Sequence, residues 1–136
     1  MPSFDHDLFV LGGGSGGVRA ARVAARHGAR TAIAEEYRFG GTCVVRGCVP
    51  KKLFVYAAEF KREIQDARGF GWTIADAAFS WPTLRDRKDQ EINLLNRVYI
   101  DLLRKSGVEL FHERAHLDDP HTVVVGDKRV TAKHIL

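Results

Sequence analysis

The sequence of 136 residues has few cysteines, few prolines and no long apolar run. Its two cysteines and four prolines are too few for a disulfide-stapled secreted scaffold or a proline-rich linker. No apolar run approaches the length of a transmembrane helix. The N-terminal segment MPSFDHD lacks the basic and apolar regions of a secretory signal, so we expect a soluble, cytoplasmic protein.

Long blocks of like charge are also missing. The 21 Lys and Arg residues and 17 Asp and Glu residues are spread along the chain and leave a net charge of +4. This balance mildly favours anionic small molecules as ligands, and neither nucleic acid nor a membrane is expected as a partner. Apolar residues make up 45% of the chain, which is enough for the core of one domain.

A strand, a glycine cluster, a helix and a second strand are predicted near the N-terminus. Phe4–Leu11 ends in an apolar run, the cluster GGGSGG follows, and small apolar residues then recur at helical spacing from Ser15 to a cap at Gly28. Thr31–Glu35 is the second short apolar segment. This order predicts the beginning of a right-handed parallel βαβ unit.

The glycine cluster contains a dinucleotide-binding fingerprint. Gly12, Gly14 and Gly17 satisfy G-x-G-x-x-G, and Glu35 stands at the end of the second strand, where a ribose-binding carboxylate belongs. Glycines let the backbone approach a pyrophosphate, and the free N–H groups of a helix N-terminus stabilise its charge. We therefore predict a bound dinucleotide.

Both cysteines lie in a single motif, GGTCVVRGCVPKK, at Gly40–Lys52. Cys43 and Cys48 are separated by four residues, close enough to pair and placed where a helix N-terminus would favour a thiolate. The arginine and two lysines of the motif are expected to lower the thiol pKa. Cytosolic disulfides are usually catalytic or redox-sensing, so we predict a redox-active pair working against a flavin.

Other interpretations of the cysteine motif remain open. Two cysteines supply only two ligands and the six histidines are scattered, so no metal site is predicted. The thiols could instead be an inert buried pair. The chain could also be a standalone nucleotide-binding module whose cysteines sense redox state without turnover.

The rest of the chain predicts two more helices and several strands. Leu53–Arg68 and a longer segment from the cap Ser80 to Ser106 show helical periodicity. Val108–Phe111 is a third strand candidate, and the runs TVVV, KRVTA and HIL read as a β-meander or hairpin. The fold class is therefore α/β, a Rossmann-like domain with a parallel sheet, flanking helices and a small β-meander. The apolar end HIL suggests that this domain is incomplete at the C-terminus.

These motifs resemble those of the flavin-dependent pyridine nucleotide–disulfide oxidoreductases, and most closely the glutathione reductases among them. GGGSGG, Glu35, the cysteine motif and the terminal HIL match in order and spacing over Asp7–Leu136. The resemblance implies that residues 1–136 are the N-terminal part of an FAD-binding domain. It also implies that the NADPH-binding domain and the dimer-interface domain, with its acid–base histidine, lie outside the chain. We therefore expect the chain alone to be inactive.

The resemblance also implies roles for individual residues. Cys43 would be the interchange thiol that attacks glutathione disulfide, and Cys48 would be the thiol that faces the flavin. The positions matching FAD contacts are Gly12, Gly14, Ser15, Gly16, Gly17, Glu35, Thr42, Cys43, Lys51 and, through its backbone, Ala115. The positions matching substrate contacts are Ser15, Arg22 and Tyr99.

The resemblance favours glutathione disulfide over the substrates of related enzymes. Lipoamide dehydrogenases usually carry serine where Lys51 stands, and their neutral substrate gives no reason for Arg22 and Tyr99. Trypanothione reductases prefer acidic or aromatic residues near Arg19 and Arg22, whereas two arginines suit an anionic disulfide. The expected enzyme is an NADPH-dependent, homodimeric glutathione-disulfide reductase, with lipoamide-type and mercuric-type reductases as alternatives.

Overall fold

The structure is a computed structural model that describes residues 3–136; Met1 and Pro2, the first residues of MPSFDHD, lie outside it. Strands alternate with helices in the first half, and strands dominate the last quarter. The elements are β1 His6–Leu11, α1 Ser15–Arg26, β2 Thr31–Ala34, α2 Gly41–Arg46, α3 Cys48–Ala67, α4 Trp81–Lys105, β3 Glu109–Phe111, β4 Ala115–Asp119, β5 Thr122–Val125 and β6 Lys128–Ile135. A 3-10 turn at Arg68–Phe70 follows α3.

The strands form a mixed sheet in the order β3-β2-β1-β6-β5-β4. β1 pairs in parallel with β2 and with β6, and β2 pairs in parallel with β3. The strands β4, β5 and β6 are antiparallel neighbours. The predicted α/β class, with a parallel sheet and a small meander, is therefore confirmed.

One strand belongs to both parts of the sheet. Thr131 of β6 pairs with Thr122 of β5, whereas Ala132 and Ile135 of the same strand pair with His6 and Phe9 of β1. The runs KRVTA and HIL lie in one strand and its end. The two halves of this strand pair with different neighbours, which local sequence cannot reveal.

Apolar side chains cover both faces of the parallel strands. Val10 and Ile33 point to a cluster shared with α1 and α4, while their neighbours Phe9 and Ala32 point to a cluster shared with the meander. Strands buried on both faces show unbroken apolar runs instead of alternation. This is why β1 and β2 read as short continuous apolar segments.

The predicted limits of α4 are confirmed. Oγ of Ser80 accepts a 3.3 Å hydrogen bond from the backbone N–H of Thr83, and a proline occupies the first turn. The helix ends before Gly107, whose φ of 80° is left-handed. Among the helices described, none combines the length and apolar character needed to cross a bilayer.

Helix α3 begins five residues earlier than its predicted start at Leu53. Its first residue is Cys48, and Pro50 lies in its first turn, a position that proline favours. Two large aromatic side chains of this helix are open to solvent, with Tyr56 49% and Phe60 60% exposed. Both rings line an open cleft of about 630 Å³ between α3 and α4.

Candidate redox and dinucleotide site

The glycine cluster forms a tight turn between β1 and α1. Gly12 has a φ of 109°, and its N–H donates a 2.8 Å hydrogen bond to the carbonyl of Ala34. A Cβ on Gly17 would lie 2.0 Å from the carbonyl oxygen of Gly12. Only glycine at position 17 lets helix and strand approach this closely, as the fingerprint requires.

The N-terminus of α1 is open to an anion. Gly14 is its N-cap, no side chain caps it, and its first turn carries no acidic residue. A Cβ on Gly14 or Gly16 would meet nothing within 4 Å, so there is free space in front of the helix. Its uncapped N–H groups and dipole therefore suit a pyrophosphate.

The carboxylate of Glu35 lies at the end of β2, beside this turn. Oε2 accepts a 2.8 Å hydrogen bond from the N–H of Gly13, and Oε1 accepts one of the same length from the N–H of Tyr37. Glu35 lines a cleft of about 230 Å³ together with Gly12 and Ala115. The structure thus brings three predicted nucleotide-binding residues from separate elements into one cleft.

The cysteine motif packs directly against the glycine turn. The N–H of Gly40 donates a 2.8 Å hydrogen bond to the carbonyl of Gly13. Gly40 and Gly41 have φ values of 112° and 62°, and a Cβ on Gly41 would lie 2.6 Å from Cα of Gly14. Two left-handed glycines therefore begin α2 in contact with the turn.

The two cysteines lie on different helices. Cys43 is in α2, and Cys48 is the first residue of α3, beyond a break at Gly47. A Cβ on Gly47 would lie 2.8 Å from the carbonyl oxygen of Thr42, so the break is tight. Both cysteines are free thiols; Cys43 is half-buried and Cys48 is exposed.

The two thiols interact, and this changes the acidity of Cys43. A hydrogen bond with the Cys48 side chain, together with burial and the charge of Cys48, raises the pKa of Cys43 above its ordinary value. The prediction that neighbouring basic residues lower the thiol pKa was therefore wrong for Cys43. The guanidinium of Arg46, the basic residue closest to Cys43 in the sequence, lies 5.6 Å from the ring centroid of Tyr37.

The remaining predicted site residues are more scattered. Ser15 begins α1, Thr42 lies in α2 and Lys51 lies in the first turn of α3, and all three are exposed. Arg22 is half-buried on α1, and its Nε has no hydrogen-bond partner among the described residues. Tyr99 on α4 packs against the helix-side core. Neither Arg22 nor Tyr99 lines the 230 Å³ cleft.

Sequence reasoning missed two residues that hold the site together. The ring of Phe39 is buried beneath Gly13, 2.6 Å from where a Cβ would be, and Asn96 on α4 donates a 2.8 Å hydrogen bond to the Phe39 carbonyl. A signal for Asn96 was present, because it interrupts the apolar face of α4 at helical spacing. The sequence around Phe39 carried no such signal.

Within residues 3–136 no three His, Cys, Asp or Glu side chains are grouped so as to hold a metal ion. The chemistry suggested by the geometry is instead that of a dithiol beside a dinucleotide site.

Comparison with known proteins identifies the family. Residues 6–136 match the pattern of the pyridine nucleotide-disulphide oxidoreductases. The chain belongs to this family. It is 54% identical to the glutathione reductase of Burkholderia cepacia over 136 residues, 100% of this chain and 30% of that protein.

Two further relatives of this oxidoreductase chain carry the same name. It is 49% identical to the glutathione reductase of Nostoc sp. over 98% of this chain and 29% of that protein. It is 43% identical to the chloroplastic/mitochondrial glutathione reductase of Pisum sativum, over 98% of this chain and 26% of that protein. The chain thus spans less than a third of the length of these relatives.

Proposed function

We propose that the chain is the N-terminal part of the FAD-binding domain of an NADPH-dependent glutathione-disulfide reductase. The packing of the cysteine motif against the glycine turn is the observation that carries this proposal, because it makes the dithiol and the nucleotide site one structural unit. The names of the three relatives support the choice of glutathione disulfide.

The residues present fit FAD. The uncapped N-terminus of α1 suits the pyrophosphate, and the cleft containing Glu35 and Ala115 suits the adenosine end. Lys51 and Thr42 belong to the helices that carry the cysteines and would contact the flavin end. When bound, the flavin supplies an acceptor for a pair of electrons from NADPH, whose binding site we place outside this chain.

The dithiol would reduce the substrate by two exchange steps. The thiolate of Cys43 attacks one sulfur of glutathione disulfide, which breaks the S–S bond, releases one glutathione and leaves a mixed disulfide on Cys43. Cys48 then attacks Sγ of Cys43, which releases the second glutathione and leaves a Cys43–Cys48 disulfide. Two electrons, originating from NADPH, restore the dithiol.

Because the pKa of Cys43 is raised, this scheme requires a base that deprotonates the thiol. At neutral pH most of this thiol is protonated, so its proton must be removed before attack. The six histidines of the chain are given no such role. We propose that the base is supplied from outside the chain, by the second subunit of a homodimer.

Substrate binding would use the positive charge of α1. Arg22 is half-buried with an unpartnered Nε, which suits a glutathione carboxylate. Ser15 begins the same helix, and Tyr99 lies on the packed neighbour α4. We propose these three residues as the substrate contacts supplied by this chain. We also propose that the protein is located in the cytoplasm.

The proposal is tested with the protein at its natural length. NADPH oxidation is followed with glutathione disulfide, lipoamide and mercuric ion as alternative substrates. We expect turnover with glutathione disulfide to exceed that with either alternative by orders of magnitude, and the 136-residue chain alone to be inactive. Preference for lipoamide or mercuric ion would overturn the substrate assignment. Tight FAD binding without turnover by the natural-length protein would favour the redox-sensor alternative.

A further inference from the structure

A polar side chain interrupts the inward face of α4. Ile92 and Leu103 are buried on this face, Tyr99 packs against the same core, and Asn96 lies among them at helical spacing. A half-buried amide destabilises a protein unless it is hydrogen-bonded. Nδ2 of Asn96 donates to the carbonyl oxygen of Phe39 at 2.8 Å, which explains a polar residue at this position.

Phe39 joins the glycine turn to α2, the helix that carries Cys43. Its ring is buried against Gly13, and its ring centroid lies 5.2 Å from that of His112 in an edge-on contact. The next residue, Gly40, donates its N–H to the Gly13 carbonyl, and α2 begins at Gly41. The hydrogen bond from Asn96 therefore fixes the backbone immediately before the two left-handed glycines.

We propose that Asn96 is a positioning residue that holds α2 in register with the glycine turn. It thereby places Cys43 in α2 and, across the tight break at Gly47, Cys48 at the start of α3. This rests on the proposed function, in which the dithiol must face a dinucleotide bound at that turn. Asn96 acts through the Phe39 carbonyl and not on the reacting sulfurs. Tyr99 lies three residues further along α4. The same helix would therefore position α2 through Asn96 and contact the substrate through Tyr99.

A neighbouring hydrogen bond provides a matched control. One turn earlier on α4, Oδ1 of Asn93 accepts a 2.6 Å hydrogen bond from Nη2 of Arg38. Asn93 is exposed, and water can replace this interaction when it is lost. Water reaches the carbonyl of the buried Phe39 less readily, so removing Asn96 leaves an acceptor without its partner.

The test compares Asn96→Leu, Asn96→Asp and Asn93→Leu in the protein at its natural length. The first measurement, without FAD, is hydrogen exchange at the Gly40 amide, with Phe9 and Val10 of β1 as internal references. We expect exchange at Gly40 to accelerate about fivefold or more in both Asn96 variants, as loss of one buried hydrogen bond predicts. The exchange rates at Phe9 and Val10 should be unchanged in all variants, and the exchange rate at Gly40 should be unchanged in Asn93→Leu.

The second measurement is the thiolate–flavin absorption band of the reduced, FAD-loaded protein. We expect a weaker band in the Asn96 variants at equal FAD occupancy and a wild-type band in Asn93→Leu, which a purely structural role would not produce. Unchanged Gly40 exchange and an unchanged band would overturn the positioning role. Absence of the band in the wild type would overturn the proposed function. Exchange at Gly40 would still decide whether Asn96 holds the start of α2 against the glycine turn.

Discussion

Oε2 of Glu35 accepts a 2.8 Å hydrogen bond from the backbone N–H of Gly13, in the middle of the glycine turn. Its other oxygen accepts one from the N–H of Tyr37, also at 2.8 Å. One carboxylate therefore ties the end of β2 to the turn and to the loop that leads toward the cysteines. It also lines the proposed adenosine cleft, so we expect its charge to contribute to both loop geometry and ligand binding.

Replacing this carboxylate with an amide should weaken FAD binding. In Glu35→Gln the charge is lost and an NH₂ group faces a backbone donor, so we expect about a tenfold or greater loss of affinity, as for one charge-assisted hydrogen bond. Flavin fluorescence titration measures the dissociation constant. The exposed Glu59 on α3 provides the control, and Glu59→Gln should bind FAD like the wild type. Equal affinities for the two variants would exclude a role for Glu35.

A side chain at Gly41 should destabilise the fold. Gly41→Ala would place Cβ 2.6 Å from Cα of Gly14 at a φ of 62°, so we expect a loss of about 1–3 kcal/mol in the free energy of unfolding. Urea denaturation measures this change. In Gly69→Ala the new Cβ meets nothing within 4 Å, so that variant should be neutral or slightly more stable. Similar behaviour of both variants would contradict the close packing of α2 on the turn.

The acidity of Cys43 should depend on Cys48. The hydrogen bond in which the Cys43 thiol donates to the Cys48 sulfur is the main cause that raises the pKa of Cys43, so Cys48→Ala should lower that pKa. The pH profile of Cys43 alkylation, followed by peptide mass spectrometry, should then shift to lower pH. Lys52→Ala serves as the control and should leave the profile in place. A shift with Lys52→Ala and none with Cys48→Ala would instead support control by the basic residues.

Acid stability should depend on Asp5. Its Oδ2 accepts hydrogen bonds from the backbone N–H and the hydroxyl of Thr131, at 2.8 and 2.7 Å, which hold the pKa of Asp5 below its ordinary value. This stabilisation is fully present above the unfolded-state pKa of about 4, and it is lost as the pH falls through the lower folded-state pKa.

Asp5→Asn should therefore be less stable than the wild type at neutral pH and should lose less stability on acidification. Urea denaturation at a series of pH values checks this expectation. The exposed Asp76, in the connection between α3 and α4, provides the control through Asp76→Asn, which should follow the wild type. A wild-type pH dependence in Asp5→Asn would contradict the assignment.

Much of the fold follows from local sequence signals. The glycine turn, the cap at Ser80 and the left-handed Gly28 and Gly107 fix where α1 and α4 begin and end, because each depends on the chemistry of adjacent residues. Pairing within β6 could not be predicted in this way. Its two halves pair with strands that are distant from each other in sequence, and only the assembled sheet shows that they form one strand.

The candidate site also combines features that local sequence predicts with features that only the structure shows. The fingerprint glycines, Glu35 and the cysteine spacing were readable because their chemistry requires particular residue types in a particular order. The pKa of Cys43 depends on the side chain of Cys48 across the break at Gly47, and residue counting cannot give that geometry. The contact between Asn96 and Phe39 joins residues far apart in the chain, so it needed the structure.

The central claim is that Cys43 and Cys48 are a redox pair with different duties beside a flavin, and one absorption measurement tests it most directly. The protein at its natural length, loaded with FAD, is reduced as wild type, Cys43→Ser and Cys48→Ser, and its thiolate–flavin band is recorded. We expect the band to persist in Cys43→Ser and to disappear in Cys48→Ser. Survival of the band in Cys48→Ser would contradict this claim.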